Sequence, residues 1–325
     1  MATETQSRTA APRMTFAEWA LLLLLGLIWG GSFFFVRVAV AEVPAFTIVL
    51  ARVAIAAAVM VALVVALRLP LPGSLRSWTP FLIMAVLNNV IPMSLIVLGP
   101  RQIGAGLAAI LNATTPIFTV IVANALLKDE RMTVNRVIGV VIGLFGVAVI
   151  VGPSALSGAT GSVWAKVAIL GAALSYAFAN TWGRRLRGYQ PMVNAAAQSV
   201  CSTFVMLPIA ILVDQPWQLS MPSASVIWSI VALGVVCTAF GYILYFRILK
   251  RAGASNVSLV TMLVPVSATL LGFFFLGERL DLSDFLGMLL IATAFAAIDG
   301  RIPALVVSRL IHADETVFGP SEPRP

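Results

Sequence analysis

The sequence predicts an all-α integral membrane protein of ten transmembrane helices arranged as two inverted five-helix repeats. Three observations predict it. Of 325 residues, 60% are hydrophobic and 10% are charged, with a mean hydropathy of +1.00; a soluble domain carries roughly 25% charged residues. The apolar residues fall into ten stretches, each close to the ~20 residues a membrane helix needs. The motifs of residues 17–151 return at nearly the same spacings in residues 163–299.

The spans are expected at 17–36, 45–67, 79–98, 103–127, 133–151, 163–183, 192–213, 224–247, 254–276 and 284–299. Ala39-Val40-Ala41 imitates a signal-peptidase site. The apolar run before it is longer than the usual ~7–15-residue signal core, so it reads as the first span. Polar, proline-containing tails cover 1–16 and 300–325, and a connecting loop covers 152–162.

Charge sets the orientation. With the N-terminus in the cytoplasm, 16 Lys and Arg fall inside. Arg37, Arg101, Lys166 and Arg279 fall outside, and Arg52 lies within a span. Cytoplasmic loops carry the excess of Lys and Arg, so both termini are expected there. The net charge of +8 is then a property of loops, and no nucleic-acid partner is expected. Cys201 and Cys237 sit inside apolar stretches, and the single histidine, His312, is in a tail. Neither a metal-ligand spacing nor a disulfide framework follows. No Gly-x-x-x-x-Gly-Lys-Ser/Thr loop is present, so no ATP site, cofactor or metal is expected. Glu18, Glu42, Asp214 and Asp299 lie at span ends, leaving no carboxylate relay in mid-membrane. A membrane-embedded enzyme would need a clustered constellation that is missing, and a scaffold would need an interaction domain.

The repeat is visible in spacing. Gly104 to Pro116 and Gly253 to Pro265 are both twelve residues. Glu130-Arg131 follows the first proline and Glu278-Arg279 the second, and Gly139 and Gly287 each lie nine residues beyond the glutamate. Trp29 to Arg37 matches Tyr176 to Arg184. Five spans per copy is odd, so the second copy enters the membrane upside down. Inverted repeats mark many secondary transporters, with the substrate held near the midplane between the halves.

Mid-span prolines and polar residues mark where that site would be. Pro92, Pro116 and Pro265 each remove a backbone donor and free the carbonyl four residues earlier, at Asn88, Asn112 and Thr261. A freed carbonyl at membrane depth belongs in a cavity or in protein packing. These prolines are read as helix breaks and gating points. Asn112, Thr115 and Thr119 share a helical face. Trp29, Ser32, Asn88, Tyr176, Asn180, Thr238 and Tyr242 join Asn112 and Thr115 as candidate substrate contacts; Asn89, Ser175 and Tyr245 lie beside them. Such a pocket suits a small, partly apolar metabolite. Arg52 either meets an anionic substrate group or serves structure by snorkelling or bonding carbonyls. Gly26…Gly30 and Gly139…Gly143…Gly146 offer small-residue faces for packing within the chain or for a homodimer, and monomer and dimer stay equally open.

Asn-Ala-Thr-Thr-Pro at 112–116, Glu130-Arg131, Pro265 and Gly277-Glu278-Arg279-Leu280 together resemble the EamA family of the drug/metabolite transporter superfamily. The resemblance covers about residues 20–299. It implies ten helices in two inverted repeats around a central cavity, in a bacterial inner membrane. It implies export of amino acids, other metabolites or toxic organic compounds, with Asn112, Thr115, Pro116 and Pro265 as the matching residues. A broad drug exporter is the alternative to a narrow metabolite exporter. One departure stands out: Lys128-Asp129 precedes Glu130 where the second copy has the single Gly277.

Overall fold

In hydrocarbon the backbone must satisfy its own hydrogen bonds, which leaves helices as the way for these apolar stretches to cross. The computed structural model describes residues 15–127, 132–156 and 160–298. Eight of its helices are long and apolar enough to span: α1 Phe16–Ala39, α2 Ala45–Ala66, α3 Leu75–Leu98, α4 Ala105–Leu126, α5 Val134–Gly152, α6 Ser162–Leu186, α7 Pro191–Val213 and α8 Ala224–Ala252. Two shorter apolar helices complete the ten, α9 Val260–Leu276 and α10 Leu282–Ile298. The Glu130-Arg131 pair and the expected tails lie outside the described residues, except that Thr15 and Phe16 of the expected N-terminal tail belong to the start of α1.

Helix ends follow local chemistry. Thr15 and Glu18 form a capping box at the start of α1, so two of its free N–H groups are satisfied. Gly104 and Gly253 take φ of +76° and +82° at equivalent points of the two copies. Glycine is the residue that enters this region without strain, so its recurrence there is the repeat written in the backbone.

The packing is itself two-fold. α1 packs on α9 while its counterpart α6 packs on α4; α2 packs on α7; α5 packs on α10. Glycines make these approaches close. A Cβ on Gly30 would come within 2.9 Å of the α9 backbone, and one on Gly146 within 3.1 Å of the Gly287 carbonyl. Gly26 lies against the Leu263 side chain of α9, and Gly139 against the Ala294 carbonyl and Ile298 side chain of α10. Both small-residue faces are therefore filled within the chain. Leu23, Leu27, Val141, Phe145, Phe204, Phe273, Phe274 and Phe275 point outward, an apolar belt suited to lipid.

The three prolines act differently from the expected set of breaks. α4 does break beside Pro116: its helix ends at Asn112 and restarts at Thr115. Pro265, by contrast, lies inside the continuous Val260–Leu276 helix. The interruption of that span falls earlier, at Ser258-Leu259, after a short turn at Ala254–Val257. Pro92 does not break α3 either. The five residues before Ile91 widen into a π-helical turn, Val86–Val90, and Ile91 N–H bonds the carbonyl of Val86. α8, the counterpart of α3, carries its own π-helical stretch at Leu233–Phe240. Such turns are uncommon and gather at functional sites.

Candidate substrate site

The two π-helical turns and the break in α4 place polar side chains in the middle of the bundle. The turn in α3 presents Asn88 and Asn89 toward α7 and α8. Asn88 Nδ2 lies 3.0 Å from the Tyr242 hydroxyl, 3.2 Å from Gln198 Oε1 and 3.3 Å from Asn89 Oδ1. The Tyr242 hydroxyl donates to Asn89 Oδ1 at 3.2 Å, and Asn89 Nδ2 donates to Ser202 Oγ at 2.9 Å. Ser175 of α6 donates to the Leu87 carbonyl at 2.7 Å, satisfying backbone that the π turn exposes.

The break in α4 is sealed locally. The Thr115 hydroxyl bonds the Asn112 carbonyl at 2.7 Å, and the Thr114 hydroxyl bonds that of Leu111 at 2.7 Å. The carbonyl freed by Pro116 thus has a partner one turn away. Asn112 Oδ1 does not: it is buried without a hydrogen bond among the described residues. Thr119 is reached by Asn180 Nδ2 at 3.2 Å, which joins α4 to α6.

On α8, Thr238, Tyr242 and Tyr245 lie at i, i+4 and i+7, one face of the helix. Tyr245 stacks on Trp29 of α1, ring centres 5.6 Å apart. Gly241 permits that approach, since a Cβ there would sit 2.6 Å from Trp29 Nε1. The structure thus gathers Asn88 and Tyr242 into one network and sets Trp29 along the same face of α8. Thr238 is 2% exposed, its hydroxyl held between Arg52 and the Leu233 carbonyl. Ser32 is buried in α1, Tyr176 is half-buried, and Asn180 is exposed. Gln198 and Ser202 were missed by the sequence reading. Their signal was available, an amide and a hydroxyl one turn apart in mid-α7.

Three carboxylates join the two repeats at one end of the bundle, where α1 finishes and α4 begins. Glu278 accepts the Ala105 N–H at 2.9 Å and lies 3.8 Å from Arg37 Nε. It meets the positive end of the first α4 segment, where a carboxylate is favoured. Asp214 accepts the Thr47 N–H and hydroxyl at 2.6 and 3.0 Å. Glu42 accepts the Ser223 N–H and hydroxyl, both at 2.6 Å. Those bonds hold the Glu42 carboxyl below its ordinary range. Among the described residues, the carboxylate hydrogen bonds between the repeats all lie at this end.

The model of the EamA-like transporter family matches residues 17–152 and again 163–298. The chain belongs to that family. Among its relatives, an uncharacterized transporter, YoaV, of Bacillus subtilis is 26% identical over 274 residues, covering 83% of this chain and 92% of that one. An uncharacterized inner membrane transporter, YedA, of Escherichia coli K12 is 24% identical over 278 residues, covering 85% and 88%. A WAT1-related chloroplastic protein of Arabidopsis thaliana is 23% identical over 280 residues, covering 84% and 67%. One solved crystal structure overlays with a TM-score of 0.61 at 20% identity, covering 87% of this chain and 96% of that one, and shares the fold. The protein is therefore a multi-pass membrane protein of a transporter family.

Proposed function

We propose that this EamA-like protein is a secondary transporter of a bacterial inner membrane that exports small organic metabolites, amino acids among them, by alternating access. One observation carries the reading. Two inverted repeats meet around a polar network in mid-bundle, and among the described residues the carboxylates that tie them together lie at one end. With both termini in the cytoplasm, as the loop charges favour, the tied end faces outward. The outer side is then closed, the state in which an exporter loads from the cytoplasm. The repeats rock about the network, releasing the outer ties and closing the inner side. Asn88, Asn112, Thr115, Tyr176, Tyr242 and Trp29 contact the substrate, and its own gradient or exchange supplies the driving force.

The test is a comparison of metabolites in medium and cytoplasm. Cells would carry the wild type, Asn112→Ala at matched membrane levels, or no copy. One class of compound is expected to rise outside with the wild type alone. Equal pools in all three strains would contradict export. A rise of many unrelated toxic compounds would mark a broad drug exporter instead.

A further inference from the structure

Arg52 is the one basic side chain well inside a span on the cytoplasm-to-outside map. Seven residues past the start of α2 at 1.5 Å each, it lies about 10 Å into the helix. It is 8% exposed, so it does not reach the lipid headgroups. Its Nε donates to Thr238 Oγ1 at 2.9 Å, and that hydroxyl donates to the Leu233 carbonyl at 2.8 Å. This chain fixes the plane of the guanidinium and uses up Thr238.

The rest of the guanidinium has no counterpart. No described carboxylate pairs with it; Glu42, Asp214 and Glu278 are engaged with Ser223, Thr47 and the start of α4. The terminal nitrogens of Arg52 make no hydrogen bond among the described residues. They are also absent from the polar atoms sealed in without a partner, which are Asn112 Oδ1, Asn194 Oδ1, Ser199 Oγ and Thr269 Oγ1. Those nitrogens therefore keep some accessible surface. The Tyr176 hydroxyl is likewise without a hydrogen bond among the described residues. A positive charge held at this depth without an anion is costly, and intramembrane charges mark substrate pathways.

We propose that the Arg52 fork receives the carboxylate of the transported compound, so that the protein carries small organic carboxylates with an apolar body. The inference rests on the transporter reading and names its substrate class. A planar guanidinium held at Nε leaves two parallel N–H groups, the geometry that takes a carboxylate bidentately. The apolar body lies along the α8 face from Thr238 to Tyr245, about 10 Å long by helix rise. The Tyr242 ring and the stacked Trp29–Tyr245 pair wall it.

The test uses the purified full chain in phosphatidylcholine vesicles. These are loaded with an equimolar mixture of leucine, phenylalanine, benzoate and phenylacetate and the corresponding amides. Release of each compound is followed by mass spectrometry. The acids are expected to leave at least about tenfold faster than their amides, the ratio that ~1.4 kcal/mol of recognition gives. Arg52→Gln should bring the ratio close to one, and Arg52→Lys should restore part of it. Amides leaving as fast as acids from wild-type vesicles would overturn the proposal, and that arm needs no variant to fold. An unchanged ratio in well-folded Arg52→Gln would overturn it too. Release of amides alone would refute the carboxylate and keep the transporter. Release of neither class above protein-free vesicles would overturn both.

Discussion

Single side chains give the most local tests. Tyr242 exchanges two hydrogen bonds with Asn88 and Asn89, and in membranes such a contact contributes about 0.6 kcal/mol. Tyr242→Phe keeps the ring and should lower stability in detergent by about 1 kcal/mol. Asn88→Ala loses three contacts and should cost about 2 kcal/mol, with reduced transport at equal membrane abundance. Glu42 gives a pH signature. Its folded-state pKa lies below the ordinary 4.5, so its bonds to Ser223 stabilise the protein above that value. That stability is lost as pH falls through the lower, folded value. Thermal unfolding of wild type and Glu42→Gln should differ at neutral pH, and the difference should shrink as pH falls below 4.5 through the folded value. A gap that stays constant throughout the acid range would refute it. At this scale the sequence named Asn88, Tyr242 and Trp29 because polar and aromatic side chains in mid-span are conspicuous. It did not name the partner of Arg52. Thr238 is 186 residues away, and a pairing that distant exists only in the folded chain.

Helices are where expectation and structure part most usefully. Pro116 sits beside a real break, whereas Pro265, twelve residues after its glycine in the same pattern, lies in unbroken helix. A proline removes one donor. Whether the helix opens there depends on whether a hydroxyl such as Thr115 takes the freed carbonyl and on what packs alongside. The π-helical turns in α3 and α8 were not legible, since a wider turn leaves no spacing signal in one sequence. Glycine faces were legible, and their partners were not. Gly30 lies against α9, where a Cβ would meet Ser267 Cβ at 2.6 Å and backbone atoms of Val264 and Ala268 at 2.8 and 2.9 Å. Backbone cannot yield as a side chain can, so Gly30→Ala should cost about 1–3 kcal/mol. Gly31→Ala, whose nearest neighbours lie at 3.8 Å, should change stability little. Equal thermal midpoints for the two variants would show that the α1–α9 approach is looser than described.

The whole molecule is two copies of one unit, and among the described residues the carboxylates that tie them lie at one end. The repeat was readable in full from glycine, proline and glutamate spacing, because the symmetry is written locally in each copy. The tie was not, since it joins Glu278 to Ala105 and Glu42 to Ser223 across the repeats. Removing a tie should loosen that end. In a background lacking Cys201 and Cys237, a cysteine at Leu107, 7% exposed below the Glu278 contact, should be labelled slowly by an impermeant thiol reagent added outside. Glu278→Gln should speed labelling about tenfold if it removes ~1.4 kcal/mol of closure. Labelling from the cytoplasmic side alone would reverse the orientation. Counterflow by purified protein in sealed vesicles, with no ATP and no ion gradient, tests the central claim most directly. Vesicles preloaded with the metabolite that profiling identifies should take up its labelled form faster than empty ones, and Asn112→Ala vesicles should not. Uptake equal to that of protein-free vesicles would contradict a carrier that works by alternating access.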